Sequence, residues 1–288
     1  MRLVSFITPN GRPGYGAMRG PDQVVDLTTW SGIGTLRELL ASGDLPPVAA
    51  AIDAAATTLP LASLTLAPVV PNPDKIICVG LNYRDHVAET GRTVTEKPAL
   101  FARFAGSQVG HGQPLIRPAA SEEFDYEGEL AVVIGRGGRH IAAADALTHV
   151  AGYACYNEGS VRDWQRHKSQ FLAGKTFAGT GAFGPCLVTA DEIPDPSTLT
   201  LETRVNGQVV QHTTTDMLIT PVPDLIAYIS TILPLLPGDV IVSGTPGGVG
   251  SKRKPPLWLR PGDIVEVEIS GIGILRNPVV AEAAAASI

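Results

Sequence analysis

The stretch FDYEGELAVVIG, from Phe124 to Gly135, decides the fold of this 288-residue chain. Asp125, Glu127 and Glu129 occupy every second position, and the residues that follow are apolar until the final glycine. A short apolar run that ends at glycine predicts a buried strand. Alternate positions of a strand project from the same face. Glu127 and Glu129 are therefore expected to lie side by side where this strand begins.

Two carboxylates on one face repel each other unless a proton or a cation lies between them. One interpretation is a solvated strand end, because acids are mostly exposed. The other is a site for a hard divalent cation, which prefers carboxylate oxygens. A third acid, Glu158, follows the apolar run VAGYACYN and can complete a cage of three carboxylates suited to Mg²⁺ or Mn²⁺. The residues alone leave both interpretations open.

The composition predicts a strand-rich fold. The 31 glycines and 24 prolines indicate many turns, which favours a β-rich α+β protein over a helical bundle. The apolar runs KIICVG, GELAVVIG and VAGYACYN predict buried strands. Asn206-Gly207 predicts the turn of a β-hairpin, and PVPDLIAYISTILPLLPGD predicts a helix with proline near its start.

The chain is expected to form two domains. Residues 1–70 are predicted to be a small N-terminal α/β domain, because RLVSFIT and QVVDLT predict strands and TLRELLASG predicts a helix. Four prolines between residues 53 and 75 predict a connection that runs over the surface. Residues 71–288 then form the main domain.

The charge and the apolar pattern exclude several kinds of partner. A net charge of −6 gives no support to nucleic-acid binding, and the basic run SKRKPP at 251–256 is better interpreted as a solvated loop. No apolar run is long enough for a transmembrane helix, and the start lacks the pattern of a secretory signal. Cys78, Cys155 and Cys186 are far apart in apolar surroundings, which indicates reduced cysteines of a cytoplasmic protein. The expected partner is a small molecule.

Two further groups are candidates for catalysis. His86 and Glu89 share one face of the short helix that YRDHVAETG predicts. A carboxylate can orient an imidazole so that the ring takes a proton from water, although a surface ion pair is the alternative. Lys175 lies among apolar and glycine residues in LAGKTFAGTG. It either binds an oxyanion or a ligand carboxylate, or lies at the rim of a loop.

Five motifs in this order resemble those of the fumarylacetoacetate hydrolase family. They are GLNYRDHVAE, FDYEGELAVVIG, GYACYNEGSVRDWQ, GKTF followed by FGP, and SGTPGGVG. The resemblance covers residues 74–278, and the first 70 residues resemble the variable N-terminal part of many bacterial members. It implies a C-terminal domain of mixed β-structure rolled around a metal site, usually in a homodimer.

The resemblance also implies a ligand set for the metal. Its Glu-x-Glu pair falls on Glu127 and Glu129. The third ligand of the family is the aspartate of an Asn-Asp-x-Ser-x-Arg-Asp pattern, and this chain has Glu158 there. The longer arm of glutamate implies an altered geometry with Mg²⁺ or Mn²⁺ binding retained.

The remaining site residues are carried over in the same way. The resemblance implies that His86 and Glu89 activate a water molecule and that Lys175 polarises the substrate. It further implies that six residues contact the substrate: Tyr83, Tyr126, Gln165, Thr245, Gly247 and Gly248.

The implied reaction is metal-dependent hydrolysis of a C–C bond in a 2,4-dioxo acid, which gives a 2-oxo acid and a carboxylic acid. The substrate would be an acylpyruvate, a fumarylpyruvate or a diketo-deoxy sugar acid. Family members also decarboxylate or isomerise oxaloacetate-like and unsaturated dioxo acids, so the fold does not fix the product. The His86–Glu89 dyad favours hydrolysis, because decarboxylation needs no activated water. A non-catalytic metal- or ligand-binding protein is the alternative of another class, and the presence of the dyad and of Lys175 argues against it.

Overall fold

Strands dominate the computed structural model of the protein, which describes residues 1–43, 45–55 and 57–283. Residues 284–288 of the predicted C-terminal domain lie outside the described residues. The strands are, in chain order, β1 Arg2–Ile7, β2 Pro13–Arg19, β3 Gln23–Asp26, β4 Leu59–Pro60, β5 Thr65–Leu66, β6 Ile76–Gly80, β7 Ala99–Arg103, β8 Gln108–Val109, β9 Leu115–Arg117, β10 Phe124–Asp125, β11 Gly128–Ile134, β12 Val150–Asn157, β13 Ser160–Val161, β14 Gly181–Thr189, β15 Thr200–Val205, β16 Gln208–Thr214, β17 Val240–Val242, β18 Ile264–Ile269 and β19 Gly273–Ala281. The α-helices are α1 Leu36–Ser42, α2 Leu45–Ala54, α3 Arg84–Thr90, α4 Arg162–Gln165, α5 Leu172–Lys175 and α6 Val222–Ile232. Short 3₁₀ turns, among them Gly250–Lys252, connect these elements.

A large mixed sheet forms the centre of the described structure, with the strand order β4-β3-β2-β1-β14-β12-β11-β17-β6-β7. Strand β11 is buried along its whole length because it lies between β12 and β17 and is covered on both faces. Leu130 and Val132 face one apolar cluster, whereas Ala131 and Val133 face another. This alternation is the period of two that a strand imposes, and it gives the sheet a core on each side.

A second, five-stranded sheet, in the order β16-β15-β18-β19-β9, covers one face of the main sheet. Its residues Leu201, Val267 and Leu275 belong to the same apolar cluster as Leu130 of β11. Helix α6 adds Leu225 to that cluster. The predicted α+β, β-rich fold with mixed β-structure is therefore confirmed.

The strands of the first 70 residues extend the main sheet. Strand β1 pairs with β2 on one side and with β14 on the other, both antiparallel. Helix α1 forms within TLRELLASG, as the sequence predicts, and it ends at Ser42 with Gly43 as its C-cap. A capping box between Thr35 and Glu38 closes its start. The division of the chain into domains at residue 70 stays a prediction.

The turn chemistry read from the sequence is confirmed at two places. Asn206 and Gly207 join β15 to β16, and both have positive φ angles, 52° and 78°. Such angles are required by the type I′ turn that Asn-Gly favours. Helix α3 ends at Thr90, and its C-cap Gly91 has a φ angle of 73°. No helix in the described residues is both long and apolar enough to cross a membrane.

Candidate active site

The start of β11 and the end of β12 bring three buried acids together. Antiparallel pairing places Glu129 opposite Tyr156, and the N–H of Glu158 donates to the carbonyl oxygen of Glu127 at 2.8 Å. One carboxylate oxygen from each of Glu127, Glu129 and Glu158 lies within 4.8 Å of the others. We refer to these three residues as the acid triad. The strand end is buried, so the carboxylates are not solvated.

Lys175 lies at the end of α5 and contacts the acid triad directly. Its Nζ lies 2.5 Å from Glu127 Oε2 and 2.8 Å from Glu158 Oε2. Burial alone would lower the pKa of Lys175, but Glu127 and Glu158 raise it above its ordinary value. The side chain is buried and does not lie at a loop rim. The ammonium group therefore stays charged inside the site.

Arg162 is a second buried cation at the triad, and it is not among the site residues predicted from the sequence. Its Nε donates to Asp125 Oδ2 at 2.8 Å, and its Nη2 lies 2.6 Å from Glu127 Oε1. Its Nη1 donates to Gln165 Oε1 at 3.0 Å, which fixes the side chain of Gln165. Asp125, the first acid of the decisive stretch, thus orients an arginine rather than joining the triad.

The charges within the triad are unevenly balanced. Burial would raise the pKa of Glu127, but Lys175 and Arg162 hold it well below its usual range. At Glu129, burial acts together with Glu158 and Glu127, and these raise the pKa well above its usual range. Lys175 and Arg162 therefore compensate the negative charge of Glu127, whereas the charge of Glu129 is less well compensated.

The donor set fits a hard divalent cation. Glu158 Oε1 is buried, and in the described part of the chain it has no hydrogen-bond partner. The guanidinium of Arg103 lies near this oxygen, with its Nη1 4.0 Å away. Mg²⁺ and Mn²⁺ both accept carboxylate oxygens, and a divalent charge would offset the repulsion at Glu129. Glu127, Glu129 and Glu158 are the residues that would hold the ion.

Helix α3 and the glycine-rich loop after β17 hold the His86–Glu89 dyad. The Nδ1 of His86 lies 2.7 Å from Glu89 Oε1. The other oxygen of Glu89 accepts the N–H of Gly248 at 2.9 Å, and Asp85 accepts the N–H of Gly247 at 3.0 Å. The carboxylate of Glu89 is therefore fixed from both sides, and it orients the imidazole.

A cavity of about 600 Å³ joins these groups. Seven of the predicted site residues line it: His86, Glu127, Glu129, Glu158, Gln165, Lys175 and Thr245. The other five predicted site residues lie outside its lining: Tyr83, Glu89, Tyr126, Gly247 and Gly248. Tyr126 OH donates to the carbonyl of Gly248 at 3.0 Å, so it supports the loop. Direct contact of Tyr83, Tyr126 and the two glycines with substrate stays a prediction.

Sequence reasoning missed the outer part of the cavity lining. Phe101 and Phe171 form an edge-to-face pair with ring centroids 5.6 Å apart, and both line the cavity. Four basic residues also line it: Arg92, Arg166, Lys168 and Lys252. The basic run RHK after Gln165 is the feature of the sequence that could have indicated part of this lining. Only the fold shows that Arg166 and Lys168 face the cavity.

Comparisons with known proteins agree on one family. Residues 75–280 match the family model described as fumarylacetoacetate (FAA) hydrolase C-terminal. Oxaloacetate tautomerase Fahd2a, mitochondrial, of Rattus norvegicus is 42% identical over 287 residues, which are 97% of this chain and 92% of that protein. The name of that relative states a mitochondrial protein, so the cytoplasmic location predicted for this chain stays a prediction.

Solved structures show the same fold over nearly the whole chain. The fumarylacetoacetate hydrolase of the psychrophile Exiguobacterium antarcticum superimposes with a TM-score of 0.87 at 37% identity, and the match covers 98% of this chain and 100% of that one. The maleylpyruvate hydrolase of Sphingobium sp. SYK-6, in complex with manganese (II) ion and pyruvate, gives a TM-score of 0.81 at 30% identity with 98% and 100% coverage. The similarity thus includes the N-terminal strands.

Proposed function

This chain belongs to the fumarylacetoacetate hydrolase family, and we propose that it is a metal-dependent enzyme that interconverts the enol and keto forms of an oxaloacetate-like 2-oxo acid. One observation carries the proposal: His86, a base held by Glu89, lines the same cavity as the charged Lys175 and the acid triad. A base and a cation facing one cavity suit the formation of an enolate. The 42%-identical oxaloacetate tautomerase supports the choice of reaction.

The proposed mechanism assigns a task to each side chain. Glu127, Glu129 and Glu158 would hold a divalent cation, which would supply Lewis-acid chemistry to the bound 2-oxo acid. Because Glu89 engages Nδ1, His86 uses Nε2 to take a proton from C3 of the keto form. The electron pair of that C–H bond moves toward the oxygen at C2, where the ammonium of Lys175 stabilises the negative charge. Proton return to that oxygen gives the enol, and the reverse steps give the keto form.

Hydrolysis of a 2,4-dioxo acid is the second candidate, because the same dyad can also act on a water molecule. A histidine oriented by a carboxylate is suited to taking a proton from water. The water oxygen would then attack the C4 carbonyl, and the C3–C4 bond would break with its electron pair left on C3. The resulting enolate of the shorter 2-oxo acid is stabilised in the same way by Lys175 and is then protonated at C3 to give the 2-oxo acid product. The likeness to a structure described as maleylpyruvate hydrolase with manganese and pyruvate supports this route.

One set of assays separates the candidates. Purified protein with Mg²⁺ or Mn²⁺ is given oxaloacetate and, separately, acetylpyruvate, with chelator-treated protein and His86→Gln as controls. Tautomerisation predicts faster loss of the enol absorbance of oxaloacetate without pyruvate release. Hydrolysis predicts pyruvate from acetylpyruvate, and decarboxylation predicts pyruvate from oxaloacetate. Absence of any metal-dependent reaction would contradict the proposal and favour a non-catalytic binding protein.

We also propose that the enzyme is a homodimer, as the family resemblance implies. Light scattering of the purified chain, whose mass is 30.1 kDa, measures this directly. A mass of one chain at micromolar concentration would contradict it.

A further inference from the structure

The cavity of the proposed active site has two regions of opposite character. Its floor is the acid triad, where Lys175 and Arg162 are already bound to Glu127 at 2.5 and 2.6 Å. Its outer part carries four basic side chains, Arg92, Arg166, Lys168 and Lys252, all of which are exposed. We refer to these four residues as the basic rim.

The basic rim is not a consequence of composition. The chain has a net charge of −6, with 28 acids against 22 Lys and Arg. Among the described residues that line the cavity, the only acids are the three on its floor. A cavity mouth with an excess of positive charge in an acidic protein attracts anions and raises their local concentration.

Two members of the basic rim are free to bind an anion. Arg166 is paired with Glu123 at 2.5 Å, and the guanidinium of Arg92 lies over the ring of Phe171 at 5.5 Å. In the described part of the chain, neither Lys168 nor Lys252 has a carboxylate within 4.0 Å of its ammonium group.

The backbone that carries Lys252 is tied to the floor of the cavity. Asp125 accepts the N–H groups of Gly250 and Ser251 at 2.8 and 3.0 Å, and the same carboxylate holds Arg162. The 3₁₀ turn Gly250–Lys252 is therefore fixed relative to the triad. Lys168 follows α4, the helix that supplies Arg162 and Gln165. Lys252 therefore projects from a turn that is tied through Asp125 to Arg162, and Lys168 lies three residues after the helix that carries the same arginine.

We propose that Lys168 and Lys252 bind a second carboxylate at the far end of the substrate, so that the enzyme selects 2-oxo dicarboxylates over 2-oxo monocarboxylates. The proposal rests on the proposed function, because it takes the reacting end of the substrate to lie at the triad. An exposed ammonium group contributes a modest attraction that salt screens. Two such groups give selectivity of about tenfold.

Binding of two matched probes tests the proposal without requiring turnover. 2-Oxoglutarate and 2-oxopentanoate differ by a terminal carboxylate, and their affinities for the Mn²⁺-loaded protein are measured by calorimetry. The wild type is expected to bind 2-oxoglutarate about tenfold more tightly, with a preference that shrinks as salt is added. The double variant Lys168→Gln, Lys252→Gln is expected to lose most of the preference. Lys254→Gln, an exposed lysine outside the cavity lining, is the matched control and is expected to keep it.

Kinetics with oxaloacetate and its 4-methyl ester give an independent readout. The double variant is expected to raise KM for oxaloacetate and leave kcat unchanged, because a remote contact binds ground state and transition state alike. The ester should be unaffected by the substitutions. Equal affinity of the wild type for the two probes, or an unchanged preference in the double variant, would overturn the proposal. A preference for 2-oxoglutarate over 2-oxopentanoate without any turnover would contradict the proposed function. It would still support carboxylate binding by Lys168 and Lys252.

Discussion

Lys175 is the residue on which the charge balance of the site most depends, because its ammonium contacts both Glu127 and Glu158. We expect Lys175→Met to reduce turnover by about 10²–10³-fold, the usual effect of removing one group that stabilises an oxyanion. The metal-free variant should also be destabilised by about 3–5 kcal/mol, because a buried ion pair loses one partner. Added Mn²⁺ should raise its melting temperature more than it raises that of the wild type.

The control for this prediction is Lys97→Met, which removes a lysine whose side chain is 65% exposed. That variant should melt and turn over like the wild type, since exposed ion pairs contribute little. Wild-type turnover in Lys175→Met would contradict the assigned role. An Mn²⁺ response no larger than that of the wild type would show that the lysine does not compensate the triad.

Glu89 acts on the reaction through His86 and does not line the cavity. We expect Glu89→Gln to lower turnover by about 10²–10⁴-fold, the usual worth of a general base. The amide oxygen can still accept the N–H of Gly248, so the loop and the fold should be kept. The measurement is kcat together with thermal melting, and Glu96→Gln, 89% exposed, is the matched control. A normal kcat in Glu89→Gln would show that the His86–Glu89 pair has a structural role and no catalytic one.

The residues predicted from sequence are those whose partners are close along the chain or share a recognisable motif. His86 and Glu89 are three positions apart, and Glu127 and Glu129 are two apart, so spacing alone places each pair on one face. Arg162 was missed because its partner Asp125 is 37 positions away. Contacts of that range depend on strand pairing, which spacing does not reveal. The buried Arg103, whose Nη1 lies 4.0 Å from Glu158 Oε1, was missed for the same reason.

The loop after β17 is the element that connects the dyad to the sheet, and Gly248 is its critical position. With φ at +101°, a Cβ there would lie 2.2 Å from the carbonyl oxygen of Val210. We expect Gly248→Ala to displace the loop, release the N–H bond to Glu89 and lower turnover. Unfolding free energy should fall by about 1–2 kcal/mol for the left-handed backbone and by about 1–3 kcal/mol for overpacking.

Gly262→Ala separates these two effects. Gly262 has nearly the same φ, +98°, but a Cβ there meets no atom within 4 Å. The Gly262→Ala variant should therefore lose only the stability that a side chain costs in a left-handed backbone, and it should keep full activity. Urea unfolding and kcat of the two variants provide the comparison. Equal losses at both glycines would mean that the contact with Val210 has no influence on the dyad.

Strand prediction succeeded where apolar runs were unbroken and failed where glycine and proline interrupt them. Strands β6, β11 and β12 follow the runs read from the sequence. Strand β14 was missed, since it contains Gly181, Gly184 and Pro185, and proline inside a run argues against a strand. Its pairing with β12 shifts register between Tyr153 and Cys155, which accommodates the irregular stretch. A register shift of this kind depends on the pairing of two strands, which periodicity within one strand cannot predict.

At the scale of the whole molecule, the acid triad should make stability depend on divalent cations. Free Mn²⁺ at about 100 times its dissociation constant adds about 2.7 kcal/mol to the stability of the folded state. For a domain of this size, the melting temperature should rise by about 5–10 °C. Glu129→Gln should lose most of this rise, yet should not destabilise the metal-free protein, because it removes the acid whose charge is least compensated. A wild type that melts identically with Mn²⁺ and with chelator would argue against a metal site.

The N-terminal strands are predicted to unfold together with the rest of the chain. Strand β1 pairs with β14, and Val4 and Phe6 belong to the same apolar cluster as Leu130 of β11. Separation at residue 70 would expose the edge of β14 and this apolar surface, so neither part is expected to be stable alone. The variant Trp164→Phe, Trp258→Phe leaves Trp30 as the only tryptophan and reports on the first 70 residues. Its fluorescence midpoint in urea should coincide with the loss of far-UV circular dichroism of the whole chain. An earlier fluorescence transition would show that residues 1–70 behave as an independent domain, and the strand pairing between β1 and β14 would then contribute little to stability.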